Sequence, residues 1–187
     1  QLFEVDCFKD VCFGPKNLGL SQKEAELRAY EALKQVGFDD EYFYQSPFDL
    51  SGGQKRRVAI AGVLAMEPEY LVLDEPTAGL DPAAAKNLLN MLQELKEKHG
   101  ITIVIVSHNM DEVAEYANRV VLMDKGRICM DGAVWKVLGN KEVMDRMGMD
   151  VPLGINILHA LDNVENDLDI TKHTHMDIYG ELCKLTQ

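Results

Sequence analysis

The chain has 187 residues, 47% of them hydrophobic, enough for one globular domain with a core and a small appendage. Its formal net charge of -12 and pI near 4.8 argue against a general nucleic-acid binder, because phosphate binding needs a basic face. Four cysteines, Cys7, Cys12, Cys129 and Cys183, make neither a CxxC pair nor a disulfide framework and read as reduced cytosolic thiols. No run reaches the roughly 18 apolar residues that a spanning helix needs, and Ile101 to Val106 is strand-sized. Nothing at Gln1 resembles a signal peptide, and the absence of an initiator Met suggests a start inside a longer protein.

In chain order, residues 1–20 mix apolar and turn residues and end in Phe13-Gly14-Pro15-Lys16-Asn17-Leu18-Gly19-Leu20, punctuation that predicts a loop. Ser21 and Glu24 form a capping-box pattern. Leu27, Tyr30, Leu33 and Val36 then recur at helical spacing until Gly37. Ser46-Pro47 turns into Leu50-Ser51-Gly52-Gly53-Gln54. From Gly53 to Met66, Val58, Ile60, Ala61, Val63 and Leu64 predict a mostly buried helix. Tyr70 to Leu73 is a continuous apolar run, expected of a parallel strand covered on both faces, and it stops abruptly at Asp74 and Glu75.

Pro82 suits the first turn of a helix whose face is Leu88, Leu92 and Leu95, with Gly100 beyond its end. Ile101–Val106 predicts a second buried strand, followed by Ser107-His108 and a short helix from about Asp111 to Ala117. Arg119–Asp124 and Arg127–Asp131 flank Lys125-Gly126, a hairpin turn. The alternation implies a parallel α/β core with a late antiparallel edge. Ala133–Leu138 and Lys141–Met147 read as short helices. Pro152 opens another to about Leu161, and acidic Asp162–Asp169 reads as a solvated linker. Residues 150–187 read as a small add-on or tail.

The chemistry concentrates between Leu50 and Pro82. Asp74, at the carboxyl end of a buried strand, sits where open α/β sheets present ligands; a hard carboxylate there suits Mg2+, through water. Glu75 is next to it, a candidate base. Such a pair is by itself more often a solvated strand end. The glycines of Ser51-Gly52-Gly53 let backbone N–H groups approach a phosphate at a helix start, although Ser-Gly-Gly alone reads as a flexible loop. Lys55-Arg56-Arg57 reads as a solvated helix start. His173 and His175 lack the further ligands a metal site requires and read as a surface tail.

Leu50-Ser51-Gly52-Gly53-Gln54, Tyr70-Leu71-Val72-Leu73-Asp74-Glu75 and Pro76-Thr77-Ala78-Gly79-Leu80-Asp81-Pro82 together resemble the signature motif, Walker B strand and D-loop of ATP-binding cassette (ABC) ATPases. The resemblance covers roughly residues 1–138. It implies an α/β fold: part of a P-loop NTPase ABC cassette, with a parallel-sheet core, a helical subdomain and a small C-terminal extension. The implied divisions are 1–65 for the helical signature subdomain, 66–138 for the RecA-like ATPase core and 139–187 for the extension. It implies ATP and Mg2+ as cofactors, with Asp74 holding Mg2+ through water and Glu75 polarising the attacking water. His108 would be the switch histidine. Ser51, Gly52, Gly53 and Gln54 would contact the γ-phosphate of ATP held by a second cassette, and Asp81 would link the two sites.

Gln1-Leu2-Phe3-Glu4, Phe13–Leu20 and Ser46-Pro47-Phe48-Asp49 are similar to the ATPases of energy-coupling factor (ECF) transporters, among them the cobalt and nickel importers. That branch implies vitamin or metal-ion uptake at the cytoplasmic face of the cell membrane. Its partners would be a second ATPase cassette, homo- or heterodimeric, a transmembrane coupling protein and a substrate-binding membrane component, with no nucleic acid. The DNA-repair and translation branches would bring coiled-coil insertions or basic arms, and neither is present.

The sequence contains no G-x-x-x-x-G-K-[S/T]. The expectation is therefore an incomplete chain whose Walker A loop precedes Gln1. Gln1 aligns with a second glutamine beyond the one that meets Mg2+ and receives no catalytic role. The alternative is a truncated, non-hydrolysing partner that lends its signature motif to another cassette.

Overall fold

A computed structural model of the chain describes residues 4–165 and 168–184. They fall into two compact units, Gln1–Val106 and Ser107–Gln187.

The first unit begins with a helix where the sequence predicts a loop. Helix α1 runs Cys7–Asn17 and buries Cys7, Val11, Cys12 and Pro15, one stripe of the helix. Asp6 caps it, accepting from the Lys9 N–H at 2.8 Å. The Cys7 and Phe8 N–H groups, free at the helix start, donate to Gln45 O and Phe43 O at 3.1 and 2.9 Å. Pro15 lies inside the last turn, where it forgoes one helical hydrogen bond, and the preceding Gly14 has no Cβ to meet the proline ring. Gly14 is also a close approach: a Cβ there would lie 2.9 Å from Met66 Cγ and 3.1 Å from Gly62 O. The Gly-Pro pair thus serves packing rather than a turn.

Helix α2, Gln22–Gln35, starts with the predicted capping box. It ends on Gly37 at φ +65°, with the Phe38 N–H reaching back to Leu33 O at 3.0 Å. Its buried stripe is Ala25, Ala29, Ala32 and Leu33, whereas Leu27 is 58% exposed and Tyr30 44% exposed. The alanines face the packed side, where α2 meets α1 and α3 (Gly52–Leu64). Tyr30 instead lies edge-on to buried Phe43, which also stacks with Phe8 and Phe38. In α3, Val58, Ile60, Ala61 and Leu64 are buried as expected, and Val63 is not.

Strand β1 (Tyr70–Asp74), helix α4 (Pro82–His99) and strand β2 (Thr102–Val106) complete the unit. The strands pair in parallel, Leu71 beside Ile103 and Asp74 beside Val106. Helix α4 buries Ala85, Leu88, Leu89, Met91, Leu92 and Leu95 and ends on Gly100 at φ +67°. The expectation of strands covered on both faces is not met. Leu71 is buried, but Tyr70, Val72, Val104 and Val106, on the opposite face, are exposed. Among the described residues this sheet has two strands, and α4 packs on it as one layer.

The second unit contains α5 (Met110–Tyr116), strands β3 (Arg119–Asp124) and β4 (Arg127–Ala133), and helices α6 (Val134–Leu138), α7 (Lys141–Met147), α8 (Leu153–Glu165) and α9 (His175–Cys183). Lys125 and Gly126, at φ +48° and +75°, make the predicted two-residue turn, with the positive φ pair that a type I′ hairpin demands. The hairpin hydrogen-bonds as its own sheet among the described residues, not as an edge of the parallel pair. Ala114, Val134, Leu138, Met144, Ile155, Leu158, Leu168 and Ile178 form one core. Residues 150–187 are therefore packed structure rather than a tail. The predicted linker is helical as far as Glu165, and Leu168 is buried; residues 166 and 167 of that stretch lie outside the described residues. Glu181 anchors the end: it accepts from the Asp169 N–H at 3.3 Å and pairs with Lys184, which lowers its pKa.

Two outcomes follow from this packing. Leu158→Ala removes a fully buried side chain and should cost about 2–5 kcal/mol in thermal or denaturant unfolding. Burial pushes the Cys7 thiol up to about 11, with Asp6 and Asp10 adding to the rise, and burial raises Cys12 as well. Iodoacetamide at pH 8 should therefore modify exposed Cys129 first and reach Cys7 and Cys12 only when denaturant opens the helices, as peptide mass mapping would read.

Candidate nucleotide site

The signature segment is a helix start. Ser51 caps α3: its Oγ accepts from the Gln54 N–H at 3.3 Å, and the Ser51 N–H donates to Gln54 Oε1 at 2.9 Å. This reciprocal pair pins both polar side chains of the motif to the helix end. The N–H groups of Gly52 and Gly53, between them, have no partner among the described residues, as expected in a first helical turn.

These two glycines are not required by the chain's own fold. Neither has a positive φ. A Cβ on Gly52 would rest 3.5 Å from Leu80 Cδ2, and one on Gly53 would rest 3.6 Å from Ala84 Cβ, both ordinary contacts. Glycine inside a helix costs about 0.5–1 kcal/mol relative to alanine. An anion such as a nucleotide phosphate fits, since the open N–H groups and the positive helix end both favour it.

The second piece is the end of β1 and the turn after it. Asp74 is exposed at the carboxyl end of the strand, a position and chemistry that fit a water-coordinated Mg2+. Glu75 takes φ +44°, a left-handed conformation that costs a non-glycine residue about 1–3 kcal/mol. Its N–H is held by Val106 O at 2.9 Å, which fixes the first residue past the strand to the neighbouring strand end. Two turns follow: the Ala78 N–H bonds Glu75 O with Pro76 at the second position, and the Leu80 N–H bonds Thr77 O with Gly79 at φ +75°. Asp81 then caps α4, its Oδ1 accepting from the Ala84 N–H at 2.9 Å.

The two pieces meet. Gly52 faces Leu80, Gly53 faces Ala84, and Arg56 reaches Ala78 O at 3.4 Å. Lys55-Arg56-Arg57 is thus not a solvated helix start. Lys55 donates to Phe48 O, Arg56 to Ala78 O and Arg57 to Val36 O, so three loops are tied to one helix. Sequence reasoning missed Arg56, since neither its type nor its spacing names a carbonyl 22 residues away. His108 lies two residues past β2, in the segment that opens the second unit. There Ser107 Oγ accepts from the Asn109 N–H, and Asn109 Oδ1 caps α5 through the Glu112 N–H. Among the described residues no cluster of three His, Cys, Asp or Glu could hold a metal ion, and no helix is long and apolar enough to cross a membrane.

A sequence model of the ABC transporter family matches residues 5–78. The chain is 48% identical over 162 residues to the energy-coupling factor transporter ATP-binding protein EcfA2 of Bacillus cereus, covering 87% of this chain and 55% of that protein. It is also 48% identical over 164 residues to EcfA2 of Clostridium perfringens, covering 87% and 58%. The chain thus spans little more than half the length of these relatives. Among solved structures it is similar to cbiO1 of Clostridium perfringens, part of the ABC transporter complex cbiONQ, at 40% identity and a TM-score of 0.69, covering 87% of this chain and 63% of that one. A second similar structure is the ATP-binding cassette MJ0796, a dimer in a post-hydrolysis state bound to ADP and Pi. There the identity is 28% and the TM-score 0.58, with 70% of this chain and 57% of that one covered. Motifs, sequence similarity and fold agree: this chain carries part of the ATPase cassette of the ABC transporter family, and its relatives are ECF transporter ATP-binding proteins.

Proposed function

We propose that the protein is the ATP-hydrolysing motor subunit of an ECF-type importer for vitamins or for cobalt or nickel ions, peripheral to the cytoplasmic face of the membrane. The observation that supports this most is the pair Gly52 and Gly53, helix-weakening residues that the chain's own packing does not require. In this reading their N–H groups, with Ser51 and Gln54 locked as a cap, close on the γ-phosphate of ATP bound to a second cassette.

Mg2+, when bound, neutralises phosphate charge; Asp74 is the carboxylate that would hold it through water. Glu75 polarises the attacking water, and its fixed backbone keeps the carboxylate from wandering. His108 supports the γ-phosphate side of the same step. Asp81 keeps one oxygen on its own helix and offers the other across the cassette pair. The phosphate-cradling loop comes from sequence outside these 187 residues. The helical part, about 1–65, receives a transmembrane coupling protein, a separate membrane component selects the substrate, and 66–138 is the ATPase core with 139–187 as its extension. The sheet face of Tyr70, Val72, Val104 and Val106 favours this incomplete-chain reading over a self-sufficient truncated partner, because an uncovered apolar face is a liability in a free subunit.

The test is ATP turnover by this chain beside a version extended upstream to include a Walker A loop. The extended protein should hydrolyse ATP, and Glu75→Gln should lower its turnover by about a hundredfold or more. The 187-residue chain alone should be silent. Turnover by the short chain, or extended-protein turnover insensitive to Glu75→Gln, would overturn the reading.

A further inference from the structure

Helix α9 is capped from another helix. Its own N-cap, Thr174, accepts from the Asp177 N–H at 3.2 Å. The His175 N–H, left without an intrahelical partner, donates instead to Glu115 Oε2 at 2.9 Å, and the same oxygen receives His175 Nδ1 at 2.8 Å. Glu115 belongs to α5, 60 residues earlier. A carboxylate at a helix N-terminus meets both the orphan N–H and the positive end of the helix dipole.

What α9 holds in return is a helix that cannot stand alone. Helix α5 has seven residues, well below the length at which an isolated helix persists in water. Its one buried residue, Ala114, lies in a core with Ile155 and Leu158 of α8 and Ile178 of α9; Met110, Val113 and Ala117 pack against that core. The first turn of α5 is the local anchor of His108: Asn109, the next residue, is its cap, and Ser107 Oγ receives the Asn109 N–H. Any shift or fraying of α5 therefore moves the backbone that carries His108.

We propose that Glu115 and His175 are positioning residues through which the C-terminal helices hold α5, and with it His108, in working register. The proposal rests on the ATPase reading above for the role of His108, and it gives residues 139–187 a part in turnover. Neither residue touches the nucleotide; both act through α5.

Exposed pairs of this kind are often worth little, so the test must separate positioning from mere stability. In the upstream-extended protein, Glu115→Ala, Glu115→Gln and His175→Ala would be compared for hydrogen exchange of the peptide spanning residues 107–117 and for kcat and KM of ATP hydrolysis. Glu115→Ala should speed exchange in that peptide about two- to fivefold. It should lower kcat while leaving KM for ATP unchanged. Glu115→Gln, whose amide oxygen still accepts from the His175 N–H, should recover most of both losses. Faster exchange with unchanged kcat would reduce the contact to local stabilisation and overturn the proposal, as would unchanged exchange in Glu115→Ala. No turnover in the unsubstituted protein would instead sink the ATPase reading, and the exchange result would still decide whether α9 holds α5.

Discussion

The cap on α3 is the constraint on which the rest of the site depends. Ser51 and Gln54 each satisfy a backbone N–H of the other, so the helix begins at one defined residue and Gly52 and Gly53 are presented in its first turn. Three other segments are tied to that helix. Arg56 reaches the turn after β1, Lys55 the preceding loop and Arg57 the end of α2. The motif is compact in sequence because the chemistry it offers, a row of open N–H groups, is a property of a helix end and not of any one side chain.

The two halves of the candidate site depart from the most stable choice in different ways. At Gly52 and Gly53 the cost is conformational entropy in a helix that alanine would stabilise. At Glu75 it is a left-handed backbone for a residue with a Cβ, held by one hydrogen bond to Val106 and by the turn through Ala78. A glycine at 75 would relieve that strain but would remove the carboxylate. Both departures from the most stable choice fall at residues to which the proposed function gives a role, and the cores of both units show the usual apolar packing.

Much of this was legible in the sequence, and the failures have definite causes. The capping box at Ser21, the stop at Gly37 and the Lys125-Gly126 turn are local hydrogen-bond patterns, and each formed as read; the box at Ser51 went unread although its Ser-x-x-Gln spacing carries the signal. The helix α1 was missed because Gly14-Pro15 carries a turn signal that the chain uses for close packing on α3. The buried face of α2 was misread because the larger residues Leu27 and Tyr30 drew attention from the alanines that pack. The strands were read as doubly covered because composition records what a strand can bury, not how many layers a given stretch of chain supplies. The motif residues from Ser51 to Asp81 were singled out because a family pattern spans them. The Arg56 and Glu115 contacts, which bridge 22 and 60 residues, leave no such local trace.

The most direct measurement is thermal unfolding of Gly53→Ala in the upstream-extended protein, with ATP turnover recorded on the same preparation. If Gly53 serves a phosphate rather than the fold, the variant should be as stable as the parent or more so, by up to about 1 kcal/mol, and should lose turnover. A variant that is clearly destabilised, or one that hydrolyses ATP at the parental rate, would contradict the account at its centre.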